Sequence, residues 1–298
     1  MLALGRRPLL EIKVHLPSAP ASADQATMGI LRFAAATSLA LSGLAAHVQA
    51  GTICTVVADA KSGDVLHQEG RCGERFTPAS TFKIALSVMG FDSGFLQDAH
   101  SPVLSIQPGD ADWGGDSWRR PIDPTSWMKH SVVWYSQRMA AFLGQQRLHR
   151  YVAAFGYGNA DFTGDAGKDN GLKRAWLSSS LKVSPLEQVQ FLARLVNREL
   201  PVKALAMDKA LRLVERGGEA DGWAIFGKTG FAYPRKADGE FDEDRPWGWY
   251  VGWASKGERT LAFARLIQDD VKTPGIASWR SRDELIEKFA CLVRPAFR

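Results

Sequence analysis

The chain has 298 residues, of which 45% are hydrophobic and 23% are charged, and its formal net charge is +5 at pH 7. This composition is typical of a globular protein long enough for one large core or two closely packed lobes. The charge excess is mild, and no basic stripe with interleaved aromatic side chains accompanies it, so the sequence does not indicate nucleic-acid binding.

The N-terminal region has the pattern of an export signal. In residues 28–50, Arg32 supplies a positive start, an apolar alanine-rich run follows, and small residues suit cleavage after Ala50. The apolar run is too short to be a membrane span, and no later stretch is a candidate span. We interpret residues 1–27 as an extension from an upstream start and 51–298 as the mature domain, exported to the periplasm.

The first predicted elements after the signal are the two strands of a hairpin, at 52–59 and 64–68. Cys54 and Cys72 flank this hairpin, and exported proteins can form disulfides, so we predict that these two cysteines pair. Cys291 then remains as a buried thiol on the last helix. The sequence has no C-x-x-C and its six histidines are scattered, so we predict no metal site.

A serine and a lysine three residues apart, Ser80 and Lys83, would share one face of a helix. The preceding Thr77-Pro78 resembles an N-cap followed by proline at the first helical position, which places Ser80 in the first turn. A lysine beside a serine hydroxyl can accept its proton when uncharged, and burial near Phe82 favours that state. The alternative is a helix-start serine beside a solvated lysine.

The same S-x-x-K spacing occurs twice more, at Ser126/Lys129 and at Ser179/Lys182. Spacing alone is therefore not specific. The first pair differs from the other two because a helix start precedes it and a long apolar run, 84–91, follows it. The pair at 80 and 83 is accordingly the candidate reaction centre.

The middle of the chain is predicted to be helical. Asp123-Pro124 starts one helix, 145–155 is another, and Ser184 with Glu187 forms a capping box ahead of a third. The intervening segment 161–171 is rich in Gly, Asp and Asn and is predicted to be a loop.

The C-terminal part returns to strands. The segment 223–233 contains the only K-T-G, at 228–230, and strands are also predicted around 247–253 and over 259–268. Ser281 with Glu284 reads as the capping box of a final helix. We therefore predict an α+β sandwich-type fold. A central antiparallel sheet carries the terminal helices, an all-helical lobe is inserted between its strands, and a cleft separates the two.

S-x-x-K followed far downstream by K-T-G is the pairing of penicillin-recognising serine enzymes. Between them lie Ser131-Val132-Val133, Tyr157-Gly158-Asn159 and Trp176-Leu177, and no S-x-N in a suitable place. This ordered set, over roughly 76–280, resembles the class D, oxacillinase-type, serine β-lactamases. The resemblance implies the penicillin-binding/β-lactamase fold and hydrolysis of penicillin-type β-lactam antibiotics through a serine acyl-enzyme, giving antibiotic resistance. No counterpart of the class A general-base glutamate occurs in 161–180.

The resemblance also implies roles for four residues in the reaction. Ser80 is the nucleophile, and Lys83, carboxylated on Nζ by CO2 or bicarbonate, is the general base, with no other cofactor. Ser131 relays a proton to the leaving nitrogen; its alternative role is a helix cap. Trp176 donates its indole N–H to the carbamate, and core packing is the alternative for this tryptophan.

A second group of residues is implied to bind the substrate. Lys228 and Thr229 hold its carboxylate, and the backbone N–H groups of Ser80 and Phe231 form the oxyanion hole. Arg280 is a further carboxylate contact, or else a surface arginine. The whole predicted substrate-binding set is Val133, Lys228, Thr229, Gly230, Phe231 and Arg280.

Three other functions remain as alternatives. A penicillin-binding sensor domain would be acylated without hydrolysing the adduct, but such domains normally hang from membrane helices, which are not predicted here. A peptidoglycan transpeptidase or carboxypeptidase would usually carry S-x-N. A non-enzymatic periplasmic binding protein would leave the ordered motifs unexplained. The sequence leaves the substrate spectrum and the oligomeric state open.

Overall fold

The computed structural model describes residues 51–294, so the predicted signal (28–50) and the extension (1–27) lie outside the described residues. Six strands of the described range form one antiparallel sheet in the order β2-β1-β6-β5-β4-β3. The strands are β1 (Gly51–Asp59), β2 (Val65–Gly70), β3 (Arg216–Ala220), β4 (Trp223–Ala232), β5 (Trp247–Lys256) and β6 (Arg259–Gln268).

A 3-10 turn, Ala79–Thr81, leads into the first of the helices. The α-helices of the described residues are α1 (Phe82–Ser93), α2 (Asp116–Arg119), α3 (Pro124–His130), α4 (Val133–Phe155), α5 (Gly171–Arg174), α6 (Pro185–Val196), α7 (Ala204–Leu213) and α8 (Ala277–Val293). Within residues 51–294, none of these helices combines the length and apolar character needed to cross a membrane.

The sheet is buried on both faces at its centre. Alternate residues of β5 point to opposite sides, so Trp249 and Val251 join the large core shared with the inserted helices. Tyr250, with Phe263 of β6, joins a smaller core against Phe289 of α8. The predicted α+β arrangement, an antiparallel sheet with helices on it and a helical lobe inserted after β2, is confirmed.

Two helix starts in the inserted lobe agree with the sequence. The Asp123 carboxylate caps α3 by accepting from the Ser126 N–H at 2.7 Å. Ser184 and Glu187 form the reciprocal capping box of α6. The predicted helix 145–155 is the second half of α4, because Gly144 has non-helical φ and ψ angles and breaks that helix in two.

The N-cap prediction at Thr77 is wrong. The Thr77 side chain makes no cap; its Oγ1 donates to the carbonyl of Trp176 at 2.9 Å and accepts from the Ser178 N–H at 3.1 Å. Thr77 is buried, and a buried hydroxyl needs partners wherever the tertiary structure supplies them. It therefore ties the 3-10 turn to a segment about a hundred residues away.

Two predictions about the last helix are also wrong. Helix α8 begins at Ala277, so Ser281 lies inside it and donates to the carbonyl of Arg265 instead of capping. Glu284 forms an ion pair with the guanidinium of Arg265, a buried cation that requires such partners. Cys291, expected to be buried, is an exposed free cysteine, because it faces away from the sheet.

Strand β3 was not predicted. Its sequence, Arg216-Gly217-Gly218-Glu219-Ala220, lacks the β-branched and aromatic residues that favour strands. The strand forms at the edge of the sheet through pairing with β4, with an irregular register between Arg216 and Gly218. Pairing with a well-specified neighbour therefore overrides weak local propensity here.

The predicted disulfide between Cys54 and Cys72 is confirmed, and it closes a loop of 18 residues in sequence separation. Replacing both cysteines with alanine should lower the free energy of unfolding by about 3 kcal/mol, mainly because the open chain has more conformational entropy when unfolded. Urea unfolding checks this, with Cys291→Ala as the control that leaves the midpoint unchanged. Equal midpoints for the double variant and the parent protein would show that the bond adds no stability.

Candidate active site

Ser80 and Lys83 meet at the junction of the 3-10 turn and α1. Ser80 is half-buried in the turn, and Lys83 lies in the first turn of α1 with a relative exposure of 1%. The Lys83 Nζ is 3.5 Å from the Ser80 Oγ. Ala79, just before the serine, has a φ of 49°, a left-handed conformation that is strained for a residue with a Cβ.

Strand β4 packs directly against this turn. A Cβ on Gly230 would lie 2.9 Å from the Pro78 carbonyl oxygen and 2.9 Å from the Thr81 Cγ2. Glycine at 230 therefore allows the close approach of the strand to the turn that carries Ser80. Below the turn, the Thr81 hydroxyl donates to the Pro78 carbonyl and accepts from the Gln188 amide at 2.9 Å.

The Lys83 side chain is buried, and the residue next to it in sequence packs against the helical lobe. The rings of Phe82 and Trp176 lie 5.6 Å apart, and both residues, with Val133 at the start of α4, are buried. Burial, and then the charge of Lys228, lower the pKa of Lys83 well below the usual value for a lysine. Within residues 51–294, Lys83 forms no ion pair with a carboxylate, so the site favours its neutral amine.

A second buried lysine, Lys228 of β4, reaches across the cleft to Ser131. Its Nζ donates to the Ser131 Oγ at 2.6 Å and to the Thr229 carbonyl at 3.0 Å. Ser131 caps the C-terminus of α3 with a φ of 55°, in the short link to α4. Burial lowers the pKa of Lys228 to about 8, against an opposing effect of Glu215.

The two repeated S-x-x-K pairs have different surroundings. Lys129 is on α3 one turn after Ser126, but its side chain is 57% exposed and lies 3.8 Å from Glu215. Lys182 is exposed in a non-helical segment after Ser179. Neither lysine is buried, so neither pair repeats the arrangement of Ser80 beside the buried Lys83.

The remaining predicted site residues are not all brought together. Thr229 follows Lys228 on β4 and is half-buried, while the Phe231 side chain is exposed and packs edge-on against Tyr233 at 5.0 Å. Arg280 is held elsewhere: its guanidinium pairs with the fully buried Asp269 and donates to the Pro274 carbonyl.

Two residues that the sequence did not single out lie next to Lys228 and Thr229. Tyr250 of β5 and Arg282 of α8 line a cavity together with that pair. The sequence indicated Tyr250 only as one residue of the strand predicted around 247–253. Arg282 is two positions from Arg280, and no sequence pattern indicates which of the two arginines lies near Lys228. The two side chains leave α8 in different directions, and this difference decides it.

The loop 161–171 is tied to the segment after β4. Asp165 accepts from Arg174 at 3.3 Å and from Arg235 at 2.9 Å, and the Arg235 Nε donates to the Ser178 carbonyl at 3.2 Å. Sequence reasoning missed these ion pairs, because a loop composition does not indicate which distant cation will meet it. They fix one wall of a cavity of about 650 Å³.

The site therefore combines four chemical features. A serine hydroxyl lies beside a buried amine that has no counter-ion among residues 51–294, and a lysine ammonium is hydrogen-bonded to a second hydroxyl across the cleft. This set suits acyl transfer to Ser80, with Lys83 accepting a proton and Lys228 attracting an anionic substrate.

A family model described as the penicillin binding protein transpeptidase domain matches residues 53–284. The β-lactamase OXA-9 of Klebsiella pneumoniae is 40% identical over 264 residues, which cover 89% of this chain and 96% of that relative.

Two solved structures are also similar to this chain in sequence and fold. The OXA-427 class D β-lactamase is 44% identical with a TM-score of 0.73, and the match covers 80% of this chain and 99% of that one. The C-terminal domain of the Bacillus licheniformis BlaR penicillin-receptor is 25% identical with a TM-score of 0.65, over 79% of this chain and 89% of that domain.

Proposed function

Since this chain belongs to the class D β-lactamases and is a serine hydrolase of that family, we propose that it opens penicillin-type β-lactams through an acyl-enzyme on Ser80, with N-carboxylated Lys83 as the general base. Hydrolysis of these antibiotics confers resistance to them. The proposal rests on the surroundings of Lys83. This residue is 1% exposed and has no acidic partner among the described residues, and its Nζ lies 3.5 Å from the Ser80 Oγ.

In the acylation step, the Ser80 Oγ attacks the β-lactam carbonyl and loses its proton to the base on Lys83. The carbonyl oxygen becomes negative and accepts hydrogen bonds from backbone N–H groups. Our candidates for these donors are the N–H groups of Ser80 and Phe231. The C–N bond of the ring then breaks, and the nitrogen takes a proton through Ser131. Lys228, 2.6 Å from the Ser131 Oγ, orients this hydroxyl and keeps its proton mobile.

In the deacylation step, water gives a proton to the same base and attacks the ester carbon, and Ser80 leaves as the free hydroxyl. When CO2 is bound, the carbamate of Lys83 supplies an anionic base in place of a weak neutral one. The residues of the site fit a carbamate on Lys83. Phe82, Val133 and Trp176 make the surroundings apolar, which keeps the amine neutral and able to add CO2, and the indole of Trp176 offers a donor for the resulting anion.

We further propose that the protein acts after export to the periplasm. The signal pattern at 28–50 and a disulfide between Cys54 and Cys72 support this, because disulfides persist in oxidising compartments. Recovery of the expressed protein from the cytoplasm of its host, and not from the periplasm, would contradict the proposed export.

The receptor function is the second candidate, because of the likeness to a penicillin-receptor domain. Nitrocefin turnover by the purified mature protein distinguishes the two, together with the intact mass of the protein during the reaction. We expect many turnovers and a transient acyl adduct on Ser80. One stoichiometric burst followed by a stable adduct would contradict hydrolysis and indicate a receptor.

The pH dependence of substrate binding should report Lys228. Because its pKa is about 8, the ammonium is present below that pH and lost above it. We expect the KM for benzylpenicillin to rise roughly tenfold between about pH 7 and about pH 9, as the carboxylate loses this cation. Lys228→Arg, whose side chain keeps its charge, should remove the rise. The same rise in this variant would assign the titration to another group.

A further inference from the structure

A cavity of about 360 Å³ lies beside the reaction site, between the edge of the sheet and α8. It shares Lys228 and Thr229 with the reaction site. Its other walls include Tyr250 of β5 together with Trp279 and Arg282 of α8. We call this cavity the phenol pocket, after the Tyr250 side chain.

The Tyr250 hydroxyl is a buried hydrogen-bond donor. The residue is 1% exposed, and its hydroxyl makes no hydrogen bond within residues 51–294. Tyr250 is the cross-strand partner of Thr229, so both side chains lie on the same face of the sheet. A Cβ on Gly217 would lie 2.2 Å from the hydroxyl oxygen, and one on Gly227 would lie 2.7 Å from the ring. The absence of side chains at the two glycines therefore makes the space that the Tyr250 ring and hydroxyl occupy, and both glycines line the same cavity as Tyr250.

An unpaired buried hydroxyl destabilises the fold, and a ligand that accepts its hydrogen bond removes that cost. Burial also raises the pKa of Tyr250 far above its usual value, so the phenol stays protonated and acts as a donor at working pH.

The charges that line the phenol pocket favour an anion. Lys129, Arg216, Lys228 and Arg282 contribute positive side chains, and Glu215 is the acid among the lining residues. Lys129 lies 3.8 Å from Glu215, and Arg216 pairs with Glu219, so these charges largely offset one another. Lys228 and Arg282 are the lining cations that remain for a ligand. A group entering the pocket therefore meets an excess of positive charge.

Arg282 is the guanidinium that a ligand in this pocket can use. Its side chain is 36% exposed and its Nε donates to Asp283 at 2.7 Å, while its terminal nitrogens make no hydrogen bond among the described residues. Arg280 differs, because the fully buried Asp269 occupies its terminal nitrogen. A ligand carboxylate would have to displace that ion pair to reach Arg280.

We propose that the phenol pocket binds a second anionic group of the substrate, a carboxylate or sulfonate on the substituent next to the ring carboxylate, with the Tyr250 hydroxyl and Arg282 as donors. This inference rests on the proposed function, in which Lys228 and Thr229 hold the ring carboxylate. A neutral apolar substituent would leave the Tyr250 donor unpaired, whereas an anion forms a charge-assisted hydrogen bond with it and with the guanidinium. The pocket thus selects doubly anionic β-lactams.

Two cephalosporins with the same acyl side chain test this selection in the mature protein. They differ only in a carboxylate or a carboxamide at the end of the substituent on the six-membered ring. We expect the wild-type kcat/KM to be about tenfold higher for the carboxylate compound. Tyr250→Phe and Arg282→Gln should each bring the ratio of the two values towards one. Tyr151→Phe, which removes a hydroxyl that donates to Asp92 at 2.7 Å on α1, should keep the wild-type ratio.

The melting temperature separates a binding role from a structural one. Tyr250→Phe removes an unpaired donor, so its melting temperature should not fall below that of the wild type even as the ratio changes. A wild-type ratio near one, or a ratio that survives both substitutions, overturns the inference and leaves the proposed function intact, provided both compounds are turned over. Failure of both compounds to form an acyl-enzyme on Ser80 would overturn the proposed function itself.

Discussion

Replacing Ser80 with alanine should abolish β-lactam turnover and covalent labelling by penicillin. The expected loss in kcat is roughly 10⁴-fold or more, because no bond can form to the protein without the nucleophile and only weak background catalysis remains. The change removes one half-buried hydroxyl, whose only hydrogen bond to a side chain of residues 51–294 is the 3.5 Å contact with Lys83. The variant should therefore fold as well as the parent protein.

The two repeated tetrapeptides provide matched controls for this experiment. Ser126→Ala removes a serine one helical turn before Lys129, and Ser179→Ala removes one three residues before Lys182, yet both lysines are solvated. Both variants should keep covalent labelling. Peptide mapping of the labelled protein decides the matter: a penicilloyl group on Ser126 or Ser179 would show that the nucleophile is assigned to the wrong residue.

Acidification should inactivate the enzyme through Lys83, and added bicarbonate should restore activity at the same pH. Burial and the charge of Lys228 lower the pKa of Lys83, so the amine is neutral above that pKa and becomes an ammonium as the pH falls through it. The ammonium can neither accept the Ser80 proton nor add CO2. Carbon-13 NMR with labelled bicarbonate should detect a carbamate on Lys83 in the active protein and lose that signal in acid.

The indole N–H of Trp176 is the proposed donor to that carbamate. Trp176→Phe should therefore destabilise the carbamate while keeping an aromatic ring packed against Phe82. We expect deacylation to slow by roughly 10- to 150-fold, more than acylation, because a buried anion that loses a donor is destabilised by about 1.5–3 kcal/mol. Acyl-enzyme should therefore accumulate in this variant.

Trp134→Phe is the control for the tryptophan experiment. Trp134 is as buried as Trp176, but its indole N–H donates at 3.1 Å to the carbonyl of Trp118, within the helical lobe. This variant should keep the wild-type balance of acylation and deacylation. If both variants accumulate acyl-enzyme equally, the indole donor has no special role. If activity ignores bicarbonate and no adduct forms on Lys83, Ser80 requires a different base.

Several features of this protein could be predicted from local sequence because their physical causes are local. The capping box at Ser184 and Glu187 and the N-cap at Asp123 need only residues within one turn. The strand that carries Lys228 follows from its aromatic and β-branched residues. The candidate pair Ser80 and Lys83 follows from its spacing near a helix start.

The same type of pattern failed where a buried group found a distant partner. Thr77 resembles a cap, yet its hydroxyl bonds to the backbone around Trp176 and Ser178. Ser281 and Glu284 match a capping box, yet they satisfy the buried Arg265. In each case the requirement to satisfy a buried polar group outweighs the local preference, and its outcome depends on packing.

The sequence by itself determined the fold class and the cysteine pair, and it indicated Ser80 and Lys83 as the candidate reaction centre. Only the tertiary structure decided which of three S-x-x-K lysines is desolvated, and that Lys228 reaches Ser131 across the cleft. It also decided that Arg282 rather than Arg280 shares a cavity with Lys228 and Tyr250. The physical reason is that periodicity and capping act over a few residues, whereas burial, pKa and ion pairing depend on groups brought together from distant parts of the chain.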